Sequence, residues 1–220
     1  IEEFKPSFKK DLIADLDILN NIYSEIEKIK VDPKLEAFID ELKNNPTMKF
    51  SKKIIFTESQ ETADYLKEQL KKALGVPLIA FTGKSNISLK DKIRANFDPN
   101  YKKEQDNIYN LLITTDVLAE GINLHRANVL INYDLPWNPT RIMQRVGRIN
   151  RVGTLHDKLH VFNFFPTSKS NEHLSLKDNI TSKITSFQKT LGEDFKYLTE
   201  DEETGGYDLY TKLNDRLDKE

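Results

Sequence analysis

Cysteine is absent from this 220-residue chain. That excludes a disulfide framework and any thiolate metal site. Histidine is scarce: His125, His156, His160 and His173 are the only four, and none has an H-E-x-x-H or similar ligand spacing. We read them as surface or packing residues and expect no metal site. No apolar run approaches the about 20 residues that span a bilayer. No secretory leader is visible either. The expectation is an intracellular, cytoplasmic protein with no membrane partner. The sequence opens on Ile1 rather than Met, so a piece of a longer protein is expected. It contains no internal repeat and no low-complexity tract.

What is present fits one domain with appendages. Hydrophobic residues make up 38% and charged residues 31%, enough for one core under a polar surface. The net charge is −2, unevenly spread. Residues 193–220 carry ten acidic and four basic side chains; residues 1–192 carry 25 and 29. An acidic tail thus masks a mildly basic body.

Periodicity divides the chain. Leu12, Leu16, Leu19, Tyr23 and Ile26 mark one face of a helix over residues 7–30, with Ser7 as its cap. Asp32-Pro33 breaks it, a short helix covers 34–43, and Asn44-Asn45-Pro46 ends that. Short apolar runs at 53–57, 76–81, 111–114, 129–133 and 159–164 then read as strands. Helices at 58–74, 89–97 and 139–150 lie between them. Such alternation predicts an α/β fold, a mostly parallel sheet with helices on both faces. Its ligands should sit beyond the carboxyl ends of the strands. Ile180, Ile184, Phe187 and Leu191 mark a further helix. The expected organisation is a helical leader at 1–48, a sheet domain at 49–168 and a helical, acidic extension at 169–220.

Of seven arginines among 33 basic residues, four are Arg141, Arg145, Arg148 and Arg151. The first three share one helical face. Like charges at this spacing repel by a few tenths of a kcal/mol per pair. An external anion, or the domain's own carboxylates, could compensate them. Arginine's rigid fork suits bidentate phosphate contacts.

The segment Gln144–Arg151 fits Q-x-x-G-R-x-x-R and resembles motif VI of superfamily 2 helicases. Thr115–Leu124 resembles motif V, Ile54–Ser59 motif IV, and Phe81-Thr82-Gly83 the turn after it. Asp134-Leu135-Pro136-Trp137-Asn138-Pro139 resembles the approach to motif VI in Swi/Snf-like ATPases, especially bacterial ones related to the ATPase that recycles RNA polymerase. The likeness covers roughly 33–195 and is strongest at 111–153.

The resemblance implies the C-terminal RecA-like lobe of an ATP-driven nucleic-acid translocase. It implies that Arg148 and Arg151 act as catalytic fingers on ATP held, with Mg2+, by a first RecA-like lobe. Gln144, Gly121 and Asn123 are implied as ATP-binding residues. Thr82, Gly83 and Thr115 are implied as contacts to nucleic-acid phosphates, with Gly147 allowing close approach of a neighbour. Asn123 and Trp137-Asn138-Pro139 point to double-stranded DNA. An RNA helicase lobe and a degenerate, non-enzymatic binding module are the alternatives. The plainer readings are turn glycines at Gly83 and Gly121, strand-end threonines at Thr82 and Thr115, and a helix cap at Asp116.

Thr82-Gly83-Lys84-Ser85 mimics the end of a phosphate-binding P-loop. However, Leu78 stands where that loop needs glycine. No acidic metal-binding box stands at the end of an apolar strand. The sequence therefore holds half of an active site, and the fragment alone is expected to be inactive.

Overall fold

A computed structural model describes residues 7–119, 122–150 and 156–165. Contacts divide the chain into two compact units, 1–36 and 37–220.

The first unit holds α1 (Phe8–Lys28). Ser7 occupies its N-cap position, but the hydroxyl makes no capping bond. Leu12, Leu16, Leu19, Tyr23 and Ile26 are all exposed. The helix α2 (Pro33–Asn44) follows. The Asn44-Asn45-Pro46 breaker is also a start: Asn45 Oδ1 accepts from the Thr47 and Met48 amides, and Pro46 opens the five-residue α3 (Pro46–Phe50). Phe38 and Met48, expected within a leader, belong to the second unit. Phe38 stacks with Tyr133 and Phe164 at 5.3 Å, and Met48 is fully buried.

The second unit is built on five strands. They are β1 (Lys53–Phe56), β2 (Leu78–Phe81), β3 (Leu111–Thr114), β4 (Val129–Asn132) and β5 (His160–Asn163). The order is β2-β3-β1-β4-β5, and every pairing is parallel. All four residues of β1, β3 and β4 are buried. That is the signature of a sheet covered on both faces.

Ile54, Phe56, Leu112 and Leu130 join one apolar cluster. It also takes Ile93 and Phe97 of α5 (Ile87–Phe97), and Ile142, Val146 and Ile149 of α6 (Pro139–Ile149). The alternate residues Ile55, Ile113 and Ile131 point to the other face. The helix α4 (Gln60–Leu74) packs on β2 and β3, burying Ala63, Leu66 and Leu70. Each such leucine contributes about 1.5–3 kcal/mol.

Several boundaries differ from the periodic reading for local reasons. Ser59 Oγ accepts from the Thr62 amide at 3.0 Å, so α4 starts at Gln60 and leaves Glu58 outside the helix. Gly75 closes α4 at φ 63°, where L side chains are strained. Asn86 caps α5, and a short 3-10 turn (Asp116–Ala119) follows β3. The expected helix around 180–191 and the acidic tail lie outside the described residues.

Candidate functional site

Parallel register aligns the carboxyl ends of the strands. Phe81, Thr114, Phe56, Asn132 and Asn163 form one row across the sheet. Just beyond it lie Thr82, Thr115-Asp116, Thr57-Glu58 and Tyr133-Asp134. Most of the expected site residues fall on this edge or on α6.

The helix α6 begins cleanly, because Asn138 Oδ1 accepts from the Thr140 amide at 3.0 Å and Pro139 follows the cap. Ile142, Val146 and Ile149 anchor it. Its three described arginines then part company. Arg145 is 0% exposed. Its Nε donates to Asp116 Oδ1 at 2.7 Å, and Nη2 donates to Asp116 Oδ2 at 2.9 Å and Glu58 Oε1 at 2.6 Å. Its Nη1 donates to Asn132 Oδ1 at 2.8 Å and the Asp134 carbonyl at 3.3 Å. The guanidinium also lies over the Phe56 ring at 5.0 Å. Arg141, with a half-exposed side chain, reaches Glu58 at 3.0 Å and Asp116 at 3.5 Å.

Arg148 differs. Its half-buried guanidinium has no hydrogen-bond or ion-pair partner among the described residues. Of the two compensations the sequence left open, Arg141 and Arg145 take the chain's own carboxylates, Asp116 and Glu58. Asp116 is no simple cap. It opens the 3-10 turn and clamps α6.

Other expected residues fall as follows. Gln144 is exposed on α6. The Leu124 amide donates to the Arg148 carbonyl at 3.2 Å, bringing the segment that holds Asn123 to the end of α6. A Cβ at Gly147 would meet nothing within 4 Å, so no described neighbour demands glycine there. Thr82 and Thr115 are only 6% and 7% exposed, whereas Gly83 is exposed, and a Cβ there would meet Val117 at an ordinary 3.9 Å. Gly121 and Arg151 lie outside the described residues.

The Thr82–Ser85 turn closes on itself. The Thr82 amide donates to Ser85 Oγ at 2.9 Å, and the Ser85 amide donates to the Thr82 carbonyl at 2.9 Å. A phosphate cradle would instead offer such amides outward. Lys84→Ala in a full-length protein carrying this lobe should therefore leave ATP binding intact and hydrolysis within about threefold, within the range of neutral surface changes. Loss of nucleotide binding in that variant would restore the P-loop reading.

Sequence reasoning gave no site role to Glu58, Asn132, Asp134 or Thr57, although all but Asn132 lie in segments it singled out. Thr57 Oγ1 donates to Asp134 Oδ2, and Asn132 Nδ2 donates to Asn163 Oδ1 at 2.7 Å. One signal was available: Asn132 is a polar residue in an otherwise apolar strand, and buried polar groups demand partners.

The opposite, amino edge is different in kind. A cavity of about 380 Å³ there is lined by residues including Lys52, Arg126, Asn128 and His156. Burial is the main cause that lowers the Lys52 and Lys53 ammonium groups to about 8. Lys52 donates to the Tyr109 carbonyl at 3.0 Å, and Arg126 to those of Ala95 and Asp106 at 2.7 and 3.1 Å. Arg126 thereby ties the end of the 98–107 loop to α5. Among the described residues no group of three His, Asp or Glu could hold a metal ion, and no helix is long and apolar enough to cross a membrane.

Comparison with known proteins bears on what this edge serves. A family model described as the helicase conserved C-terminal domain matches residues 33–153. YqhH of Bacillus subtilis, named an uncharacterized ATP-dependent helicase, is 34% identical over 179 residues, 81% of this chain and 29% of its own length. RNA polymerase-associated protein RapA of Pseudomonas fluorescens is 33% identical over 133 residues, 60% of this chain and 13% of its own. The chain thus spans less than a third of either relative. Among solved structures, the C-terminal part of the Fun30 ATPase domain matches with TM-score 0.53 at 23% identity, covering 65% of this chain and 44% of that one. The C-terminal domain of the DEAD-box protein Dbp5 matches with TM-score 0.51 at 25% identity, covering 73% and 79%.

Proposed function

The chain belongs to the helicase conserved C-terminal domain family, and from that premise we propose that it is the second motor lobe of a Swi/Snf-like, ATP-driven translocase on duplex DNA. In this reading a first lobe binds ATP, and closure of the lobes brings Arg148 and Arg151 to the γ-phosphate. The observation that carries the reading is the contrast within α6. Arg141 and Arg145 are neutralised by Glu58 and Asp116, while Arg148 keeps a guanidinium with no partner among the described residues. A half-buried guanidinium left without an anion would cost stability. An incoming phosphate would remove that cost.

Gln144 is exposed beside Arg148 and would contact the nucleotide or the other lobe. Asn123 and Gly121 would approach the ribose. Thr82, Gly83 and Thr115 would meet backbone phosphates, which position a duplex without reading bases. Glu58 and Asp116 are occupied by arginines and do not fit a magnesium ion. Its ligands would come from the first lobe.

Asn123 and the Trp137-Asn138-Pro139 approach favour duplex DNA over RNA. ATP hydrolysis by the full-length protein should be stimulated by double-stranded DNA well above RNA of equal length, and the stimulation should fall with added salt as phosphate contacts weaken. Equal or stronger stimulation by RNA would make this an RNA helicase lobe. No hydrolysis with either would make it a binding module.

A further inference from the structure

Arg145 heads the fully buried side chains by size. A guanidinium has five N–H donors, and all five are used here. Two go to Asp116, one to Glu58, one to Asn132 and one to the Asp134 carbonyl. Those acceptors come from the ends of three adjacent strands, β3, β1 and β4. They converge on one residue of α6. The bidentate contact with Asp116 fixes the plane of the guanidinium. The contacts with Asn132 and Asp134 fix its depth. Arg141 braces Glu58 and Asp116 from the solvent side.

We infer that Arg145 is a positioning residue which acts through Arg148: it sets the rotation and depth of α6, so that the guanidinium one turn further on is held in place for its phosphate. The inference rests on the role proposed above for Arg148. Arg145 itself has no donor left for a phosphate. Asp116 directly follows Thr115, so the end of β3 and the catalytic face of α6 move as one body. Lysine cannot replace this fork, because three donors around a point charge cannot serve five acceptors lying around a plane.

The test is a double-variant cycle in the full-length protein, reading kcat, ATP KM, nucleic-acid affinity and melting temperature. Folded Arg145→Lys should lose about tenfold to 10²-fold in kcat, the scale of a 1 Å misplacement. ATP KM and DNA affinity should change less than about threefold, since neither ligand touches Arg145. On an Arg148→Ala background, Arg145→Lys should cost no further kcat but its full share of melting temperature. Glu58→Gln and Asp116→Asn, which keep side-chain shape, should show the same pattern more weakly and stand in should Arg145→Lys not fold. Full kcat in the folded variants would overturn the inference, as would losses that multiply with that of Arg148→Ala. If Arg148→Ala itself keeps full kcat, the proposed function falls and the positioning role with it. If Arg148→Ala is crippled while the Arg145 variant is not, only the positioning role falls.

Discussion

Arg148→Ala in the full-length protein should lower kcat for ATP hydrolysis by about 10³–10⁵, the range for arginine fingers. Negative charge shifts among the γ-phosphoryl oxygens in the transition state, and a guanidinium placed there stabilises that state more than the ground state. ATP affinity should change by less than about tenfold, because most ground-state contacts would belong to the other lobe. Stability should be unchanged or slightly raised, since no described residue pairs with the half-buried Arg148. Arg151→Ala should match it in kcat, and Arg148→Lys should be nearly as damaging. Arg141→Ala should be milder, because its exposed pairs with Glu58 and Asp116 are worth at most about 1 kcal/mol. The decisive measurement is kcat at saturating duplex DNA beside nucleotide affinity. Equal, small losses at these three arginine positions would mean a basic stripe without catalytic function.

Arg145→Ala should instead unfold the lobe more easily, and this is measurable on the 220-residue chain alone. Removing the guanidinium takes the buried cation from between Asp116 and Glu58, leaving them only the half-exposed Arg141, and leaves Asn132 short of a donor. Breaking a buried ion pair costs about 3–5 kcal/mol. The carboxylates are 28% and 33% exposed at the side chain, so solvent relieves part of that and about 3 kcal/mol is expected. At roughly 2–4 °C per kcal/mol for a chain of this size, the melting temperature should fall by roughly 6–12 °C. Arg145→Met combined with Glu58→Gln and Asp116→Asn should recover much of the loss, because the stranded charges are gone. A loss below about 1 kcal/mol in urea unfolding of Arg145→Ala would show the network to be solvated and weak.

The contrast between these two arginines marks the limit of what was legible in the chain. Strands β1, β3 and β4 could be read because burial on both faces leaves short unbroken apolar runs such as Ile54–Phe56 and Leu111–Ile113. Helix α4 could be read because Ser59 starts it and Gly75 stops it. The Q-x-x-G-R-x-x-R pattern marked α6 as the functional helix. Helical spacing, however, gives a residue's face and not its partner. Glu58 lies 87 residues before Arg145 and meets it only because β1 sits at the centre of the sheet. The capping role of Ser59 kept Glu58 out of α4, a detail that periodicity averages away. Short elements such as α3 and the 3-10 turn at Asp116 have too few residues to show a period.

The parallel order of the sheet also sets a timetable for synthesis. The central strand β1 pairs first in sequence with β3, roughly 60 residues later. Ribosomes add about 5–20 residues per second. Lys53–Phe56 therefore waits roughly 3–12 s after emerging before a hydrogen-bonding neighbour exists, and longer for Val129–Asn132 on its other side. During that interval Ile54, Ile55 and Phe56, all buried in the finished sheet, remain open to chaperones or to another nascent chain.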